Sequence, residues 1–298
     1  MQRTIVVGDV HGMTPELKAL VAKVGLTKED TLVFVGDLVD KGPDSAGTVQ
    51  FVRSLRDEGF SVVLVQGNHE EKHSRFRKAF TKGGEKAVKK FKGVDELKSI
   101  TEALSPEDVA FLDSAVPFFQ MPEHDAVVVH AGIPGTVTEL DASDKGTVSR
   151  ILRTRFVTGK ANIKLTLEIS DLDHLDPEPE EGAPITLEEL MSAAGSDLDA
   201  VVVRKKVRPA GSFISLGQEG PEDSFWAEVY DGRFGHVFFG HEPFMDDSEP
   251  KQFDHATGLD LGAVFGGHLA AAVLVEGEAP TFVTVKASGK FATGLWEE

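Results

Sequence analysis

The chain of 298 residues has no cysteine, and that absence removes disulfides, thiolate zinc sites and thiol nucleophiles together. Any metal it holds must bind through oxygen and imidazole. Basic residues are also in short supply, 31 against 49 acids for a net charge of -18, which disfavours non-specific binding to nucleic acid and attracts cations. A local basic pocket could still hold phosphate. No apolar run approaches membrane-spanning length, and with a first strand expected from about Thr4 no signal peptide is expected. The expectation is a cytoplasmic enzyme with no membrane partner.

What remains is the composition of a soluble globular protein, 41% hydrophobic and 27% charged, with ample chain for a sizeable core. The stretch TLVFVGDLVDKGPDSAG, Thr31 to Gly47, organises the reading. A β-branched apolar run stops at a glycine and an aspartate, and Asp37, Asp40 and Lys41 follow at the strand's carboxyl end, where open α/β sheets place ligands. The same pattern recurs. TIVVGDVHG ends in Asp9 and His11, SVVLVQGNHE in Asn68, His69 and Glu70, AVVVHAGIPG in His130, and HVFFGHEP in His241. Between the first three, helices are expected after Thr14, read as an N-cap with Pro15 behind it, and from about Asp44 to Glu58. Strands alternating with helices predict a mostly parallel sheet with crossover connections, and the tail alternates like an antiparallel pair closing it.

We expect one domain over residues 1–298. A helical excursion at about 71–115 lies near the site, with a helix capped by Ser105, and an acidic cap-like insertion occupies about 157–223, with one helix near Thr186 to Ala194. Five strand ends carrying Asp9, His11, Asp37, Asn68, His130 and His241 on one sheet edge make six ligands without sulfur. That set suits two divalent cations sharing a carboxylate, such as Mn²⁺, Fe²⁺ or Zn²⁺; Mg²⁺ alone would want fewer imidazoles.

The run GDVHG, GDLVDKGP, GNHE, HAG and GHEP resembles the phosphoprotein-phosphatase group of dinuclear metallophosphoesterases, in order and roughly in spacing. Within it, SRILRTRF, FWAEVYDG and ATGLDLGAVFGG are similar to the bacterial symmetrical diadenosine tetraphosphatases and the diadenosine-tetraphosphatase-like phosphatases. The resemblance implies an α/β calcineurin-like sandwich of central mixed β-sheets flanked by helices. It implies that Asp9 and His11 bind a first metal, that Asp37 bridges, and that Asn68, His130 and His241 bind a second. Manganese is the first choice of metal, with Fe²⁺, Zn²⁺, Co²⁺ or Mg²⁺ as alternatives.

It also implies that His69 protonates the leaving oxygen while Asp40 orients it, and that Lys41, Arg153 and Asn68 hold substrate phosphate, with Arg150 and Arg155 close enough to compete. Lys41 stands where protein phosphatases carry arginine. Lysine offers a point charge in place of a two-pronged grip, and this moves the reading from phosphoproteins towards dinucleoside polyphosphates. The implied activity is cleavage of diadenosine tetraphosphate to ADP by hydroxide generated at the metals. A Ser/Thr or Tyr protein phosphatase, or a polyphosphate or RNA-cap phosphohydrolase, is the alternative.

Overall fold

A computed structural model describes residues 2–169, 201–245 and 248–293. The chain begins β1 (Arg3–Val7), α1 (Thr14–Val24), β2 (Thr31–Phe34), α2 (Ser45–Asp57), β3 (Ser61–Leu64), α3 (Asn68–Val88), α4 (Val94–Ala103) and α5 (Pro106–Asp113). It continues through β4 (Phe118–Met121), β5 (Ala126–Val129), α6 (Lys145–Ile151), β6 (Phe156–Val157), β7 (Asn162–Ile169), β8 (Val201–Arg208), β9 (Phe213–Ile214) and β10 (Ser224–Phe225). Last come β11 (His236–Phe239), β12 (Lys251–Phe253), β13 (Ala256–Gly258), β14 (Asp260–Leu261), β15 (His268–Val275) and β16 (Thr281–Lys286).

Contrary to the expectation from the sequence, the five apolar runs do not share one sheet. β1, β2 and β3 pair in parallel and are extended by β15, antiparallel to β1, with β16 beyond it. β5 and β11 belong to a second sheet, ordered β12-β13-β11-β5-β4. Hydrophobic patterning cannot reveal this division, because a run buried on both faces is equally apolar whichever neighbour it takes.

The alternation of side chains along each strand explains why both faces are buried. Ile5, Val7, Leu32 and Phe34 turn towards α1 and α2, meeting Leu17, Leu20, Val49 and Val52. Their neighbours Val6, Val33 and Val35 face the second sheet and pack on Val128, Phe238 and Leu259. The second sheet's outer side chains, Val129, Val237 and Phe239, lie against Trp226 and Tyr230. The result is a sandwich whose sheets face each other across a dry apolar layer. Truncating a filler such as Phe238, 2% exposed, to alanine would cost about 3–5 kcal/mol.

Ser105 and Gly25 act as the sequence predicts, whereas Asp44, expected as the start of a helix, is its cap. Asp44 caps α2 by accepting from the Gly47 amide, Ser105 caps α5, and Gly25 closes α1 in the left-handed conformation. Thr14, however, is the first residue of α1 rather than its cap; Met13 holds that position. The Thr14 hydroxyl is used elsewhere, donating to the Asp44 carbonyl at 3.1 Å and meeting Thr48 Oγ1 at 2.7 Å, which ties α1 to the start of α2. The stretch read as a helical excursion carries the rest of α3, with α4 and α5. In the acidic segment, β7 and β8 pair as an antiparallel ribbon. The helix expected near 186–194 lies outside the described residues. Among the described residues no helix is long and apolar enough to cross a membrane.

Candidate active site

The carboxyl ends of β1, β2 and β3 in one sheet, and of β5 and β11 in the other, come together at one edge of the sandwich. Hydrogen bonds stitch them across the gap. The His130 ring donates from Nδ1 to the Val35 carbonyl at 3.0 Å, the His241 amide donates to Asp9 Oδ2 at 2.9 Å, and the amides of Val10 and His11 both donate to the Asp37 carbonyl. The turns are tight. His11, Asp37, Asp40, Lys41 and His241 account for five of the six non-glycine residues with positive φ among the described residues. Such backbone costs roughly 1–3 kcal/mol per residue and persists where the surroundings over-determine it. The glycines of the recurrent pattern have a related cause: a Cβ on Gly240 would collide with Asp9 Oδ1, and one on Gly67 with Asp37 Oδ1.

Asp37 is the centre of the arrangement. Its Oδ1 accepts from the His69 amide at 3.1 Å, while Oδ2 faces three imidazole nitrogens: His130 Nε2 at 3.4 Å, His11 Nε2 at 3.6 Å and His69 Nε2 at 3.9 Å. Two groups of ligand-type atoms close enough to hold an ion share this carboxylate, His11–Asp37–His69 and Asp37–His130–His241, and all of these residues are buried. His11 Nδ1 and His130 Nδ1 each donate to a backbone carbonyl, Val39 at 2.9 Å and Val35 at 3.0 Å, which turns Nε2 towards the centre. Metal-ligating histidines are held in this way. Asp9 Oδ1 is buried with no hydrogen-bond partner among the described residues, which is costly unless something electropositive meets it. The donors therefore fit a pair of divalent cations in number, type and unmet demand.

The electrostatics of the protein groups alone agree. Burial, with Asp260 nearby, pushes the Asp9 carboxyl well above the usual carboxylate range. Burial also opposes ionisation of Asp37, but the imidazoles of His130 and His69 outweigh it and hold that carboxyl well below. Burial works against a charged His130 too, and Asp37 overrides it, raising the imidazole to about 9. His11, buried and close to Lys41, is lowered to about 3. Carboxylates and imidazoles that perturb one another this strongly within one buried cluster mark a functional site.

A second layer fixes the first. Asp40 Oδ2 accepts from His69 Nδ1 at 2.6 Å, leaving His69 Nε2 as the ring atom directed at the centre. Lys41 Nζ lies 3.4 Å from His11 Nε2. Asn68 Oδ1 meets His130 Nε2 at 2.8 Å. Of the three arginines, Arg153 lines the cavity shared with Asn68 and His69. Arg155 is buried behind the site, donating to Glu242 at 2.9 Å and to the His241 carbonyl at 3.1 Å, and Arg150 binds the Gly146 carbonyl of its own helix.

Three further residues act at the site: Glu70, noted at a strand end but given no role from the sequence, and His73 and Asp260, which the sequence reading did not single out. Glu70 accepts from the amides of Asp37 and Leu38, each at 2.8 Å, and of Gly67 at 3.0 Å, so one buried carboxylate shapes the turn that presents Asp37. His73 Nε2 donates to Asp40 Oδ1 at 2.6 Å; its spacing of four from His69 on a helix was the available signal. Asp260, raised to about 6 by burial, lies close enough to Asp9 to raise that carboxyl too, and it follows Gly258 and Leu259 in a further strand-end pattern.

Residues 2–269 match the calcineurin-like phosphoesterase family. Over 98% of this chain and 96% of its own length, an asymmetrical bis(5'-nucleosyl)-tetraphosphatase of Bacillus velezensis is 26% identical. A symmetrical bis(5'-nucleosyl)-tetraphosphatase of Pectobacterium atrosepticum is 56% identical, over 22% of this chain and 23% of that protein. Among solved structures, a provisionally assigned diadenosine tetraphosphatase superposes with a TM-score of 0.59 at 22% identity, covering 96% of this chain and 95% of its own. A serine/threonine phosphatase of Saccharomyces cerevisiae with similarity to human phosphatase PP5 does so with a TM-score of 0.53 at 15% identity, covering 97% and 81%.

Proposed function

Because the chain belongs to the calcineurin-like phosphoesterase family, whose members work with a dinuclear divalent-metal centre, we propose that it hydrolyses a phosphoanhydride bond of a dinucleoside polyphosphate such as diadenosine tetraphosphate. The observation that carries this reading is the Asp37 carboxylate, whose Oδ2 faces three imidazoles, beside a second carboxylate atom, Asp9 Oδ1, that is buried with no hydrogen-bond partner among the described residues. Asp9, His11 and Asp37 would hold one ion, and Asp37, Asn68, His130 and His241 the other, with manganese the first choice. When bound, such a pair of ions lowers the pKa of a shared water from 15.7 towards about 7 and neutralises phosphoryl oxygens.

The chain's own residues do the remaining work. Lys41, together with Arg153 and Asn68, binds and orients the reacting phosphate. Water that has released one proton to solvent bonds through its oxygen to phosphorus in line, the bridging P–O bond opposite breaks, and the departing oxygen takes the proton held on His69 Nε2, which solvent then restores. Asp40 keeps that ring oriented by accepting from Nδ1. The substrate is thus a small phosphorylated molecule, and a cytoplasmic site of action belongs to the same reading.

Incubating the purified protein with Mn²⁺ and diadenosine tetraphosphate and resolving the products tests the proposal. ADP alone supports symmetrical cleavage. ATP with AMP would instead follow the Bacillus velezensis relative, which is named asymmetrical and matches almost the whole chain. Turnover of a phosphopeptide with no turnover of the dinucleotide would replace the reading with a protein phosphatase.

A further inference from the structure

We propose that Phe265 is the positioning residue for Lys41: the face of its ring holds the lysine ammonium beside the centre, so that a flexible cation meets substrate phosphate in one place. The inference rests on the phosphate-binding role proposed for Lys41. It gives a task to the end of the ATGLDLGAVFGG stretch, which supplies none of the ligand residues.

Lysine carries a compact charge on a flexible four-carbon stem, and a phosphate site gains most from it when the surroundings fix where that charge lies. Lys41 is anchored at its backbone end, where its amide donates to Glu96 Oε1 at 3.3 Å. At the other end Nζ lies 3.4 Å from His11 Nε2 and over the face of the Phe265 ring, 5.6 Å from its centroid. A cation at that distance is attracted by the negative face of the ring. The contact with His11 is not a lasting restraint. His11 Nδ1 donates to the Val39 carbonyl, so Nε2 has the ring's one acceptor lone pair, and an ion bound there uses it. The aromatic face is the restraint that metal binding leaves intact.

A ring suits this task better than an acid. A carboxylate in contact with Nζ would neutralise the charge and compete with the incoming phosphate, whereas a π face attracts the cation without bringing an anion. Among the described residues no carboxylate oxygen pairs with Lys41 Nζ, and Asp260 acts on it only over a longer distance. The ring is itself held firmly. Phe265 is 9% exposed within the apolar cluster that includes α1 and α2, and it ends a short helical turn, Ala263–Phe265, between Gly262 and Gly266, both with positive φ. Asp260 Oδ1 accepts from the Gly262 amide at 2.9 Å, and the Gly262 carbonyl accepts from the amides of Phe265 and Gly267, each at 2.9 Å. From the far side the Phe291 amide donates to the Val264 carbonyl at 2.9 Å. The fold fixes the ring, and the ring places the lysine.

The test introduces phenylalanine carrying one, two or three ring fluorines at position 265, which weakens the negative face with little change in size. The Ki of orthophosphate against phenyl phosphate hydrolysis is read at fixed free Mn²⁺, with KM, kcat and Tm alongside. The Ki should climb with each fluorine and reach about three- to fivefold at the third, the equivalent of one cation–π contact. KM should climb with it while kcat and Tm stay level, as expected for a contact made equally in the ground and transition states. In a Lys41→Met background the gradient should vanish. A Ki indifferent to fluorination, or a gradient that persists without Lys41, would reduce the ring to packing and overturn the proposal. So would an equal gradient from fluorination of Phe60, whose ring lies under Lys28 Nζ at 5.7 Å just before β3, at the end away from the site. If Lys41→Met binds orthophosphate as tightly as wild type, the phosphate role of Lys41 fails and the proposal falls with it. Should phenyl phosphate not be hydrolysed at all, the reading of the metal centre fails by itself. Calorimetric titration of orthophosphate in Mn²⁺ buffer then decides the role of Phe265, weaker binding with each fluorine supporting it and equal or absent binding refuting it.

Discussion

Replacing His73 by phenylalanine tests whether the proton donor is positioned by a chain of two hydrogen bonds. His73 is fully buried on α3, and its Nε2 donates to Asp40 Oδ1 at 2.6 Å, while the other oxygen of the same carboxylate accepts from His69 Nδ1 at 2.6 Å. Asp40 is thus clamped between two imidazoles. Burial opposes its ionisation, yet the hydrogen bonds from His69 and His73 keep it far below the usual carboxylate range. Phenylalanine retains the ring's shape and removes the donor, leaving a buried carboxylate oxygen unpaired. A hydrogen bond to a charged group contributes about 1.5–3 kcal/mol, and an orphaned buried acceptor costs a similar amount. Stability should fall by that order. If roughly 1.4–2.7 kcal/mol of it is expressed as misplacement of His69, kcat falls about 10- to 100-fold.

His73→Gln supplies an amide N–H near the position of Nε2 and should recover most of both losses. The assays are denaturant unfolding, and kcat on phenyl phosphate, whose leaving oxygen is basic enough to need the proton, with metal content measured alongside. A phenylalanine variant with wild-type stability and turnover would refute the reasoning. A glutamine variant as poor as phenylalanine would show that ring shape matters rather than the hydrogen bond.

Other perturbations separate the remaining roles. His69→Ala should keep both metals by elemental analysis while turnover drops about 10²- to 10⁴-fold, the usual value of general acid catalysis; loss of metal would make His69 a ligand instead. Chelation of the metals should lower thermal stability: at a hundredfold excess over Kd a bound ion contributes about 2.7 kcal/mol, or several degrees in Tm, and an unchanged Tm would argue against a centre integral to the fold. The Asp108 carboxyl, whose burial is outweighed by its hydrogen bonds from Arg53 and Ser105, is lowered from 3.8. Its folded value being depressed, its contribution is present above the unfolded pKa and lost as pH falls through the folded one. The stability gap between wild type and Asp108→Asn should therefore be constant near neutrality and close at acid pH, by urea midpoints, and a gap that persists there would contradict this.

The chain of strand ends was legible because a glycine and a ligand-type residue at the end of an apolar run is a local pattern, visible without knowing what packs on what. The same feature hid the sheet pairing: β5 and β11 read no differently from β1 and β2, and their assignment to a second sheet depends on contacts such as Val6 and Val33 against Val128 and Phe238 that no local signal encodes. Within the site, residues that face the centre announced themselves by position, whereas Glu70, His73 and Asp260 act through other residues. Glu70 sits beside His69 in the sequence, yet nothing in its identity says that it gathers three amides from two turns. The arginines show the limit of spacing. Arg150, Arg153 and Arg155 lie within six residues, and only the fold separates the one at the cavity from the one buried behind His241.

The most direct test of the whole account is the metal stoichiometry of Asp37→Asn against wild type, measured by elemental analysis on protein purified with Mn²⁺ and freed of excess ion. The wild-type chain should carry two ions, and the variant, whose shared oxygen has lost its charge, fewer than one, with turnover lost in parallel. Two ions retained in Asp37→Asn, or one ion in a fully active wild type, would contradict a centre built on that carboxylate.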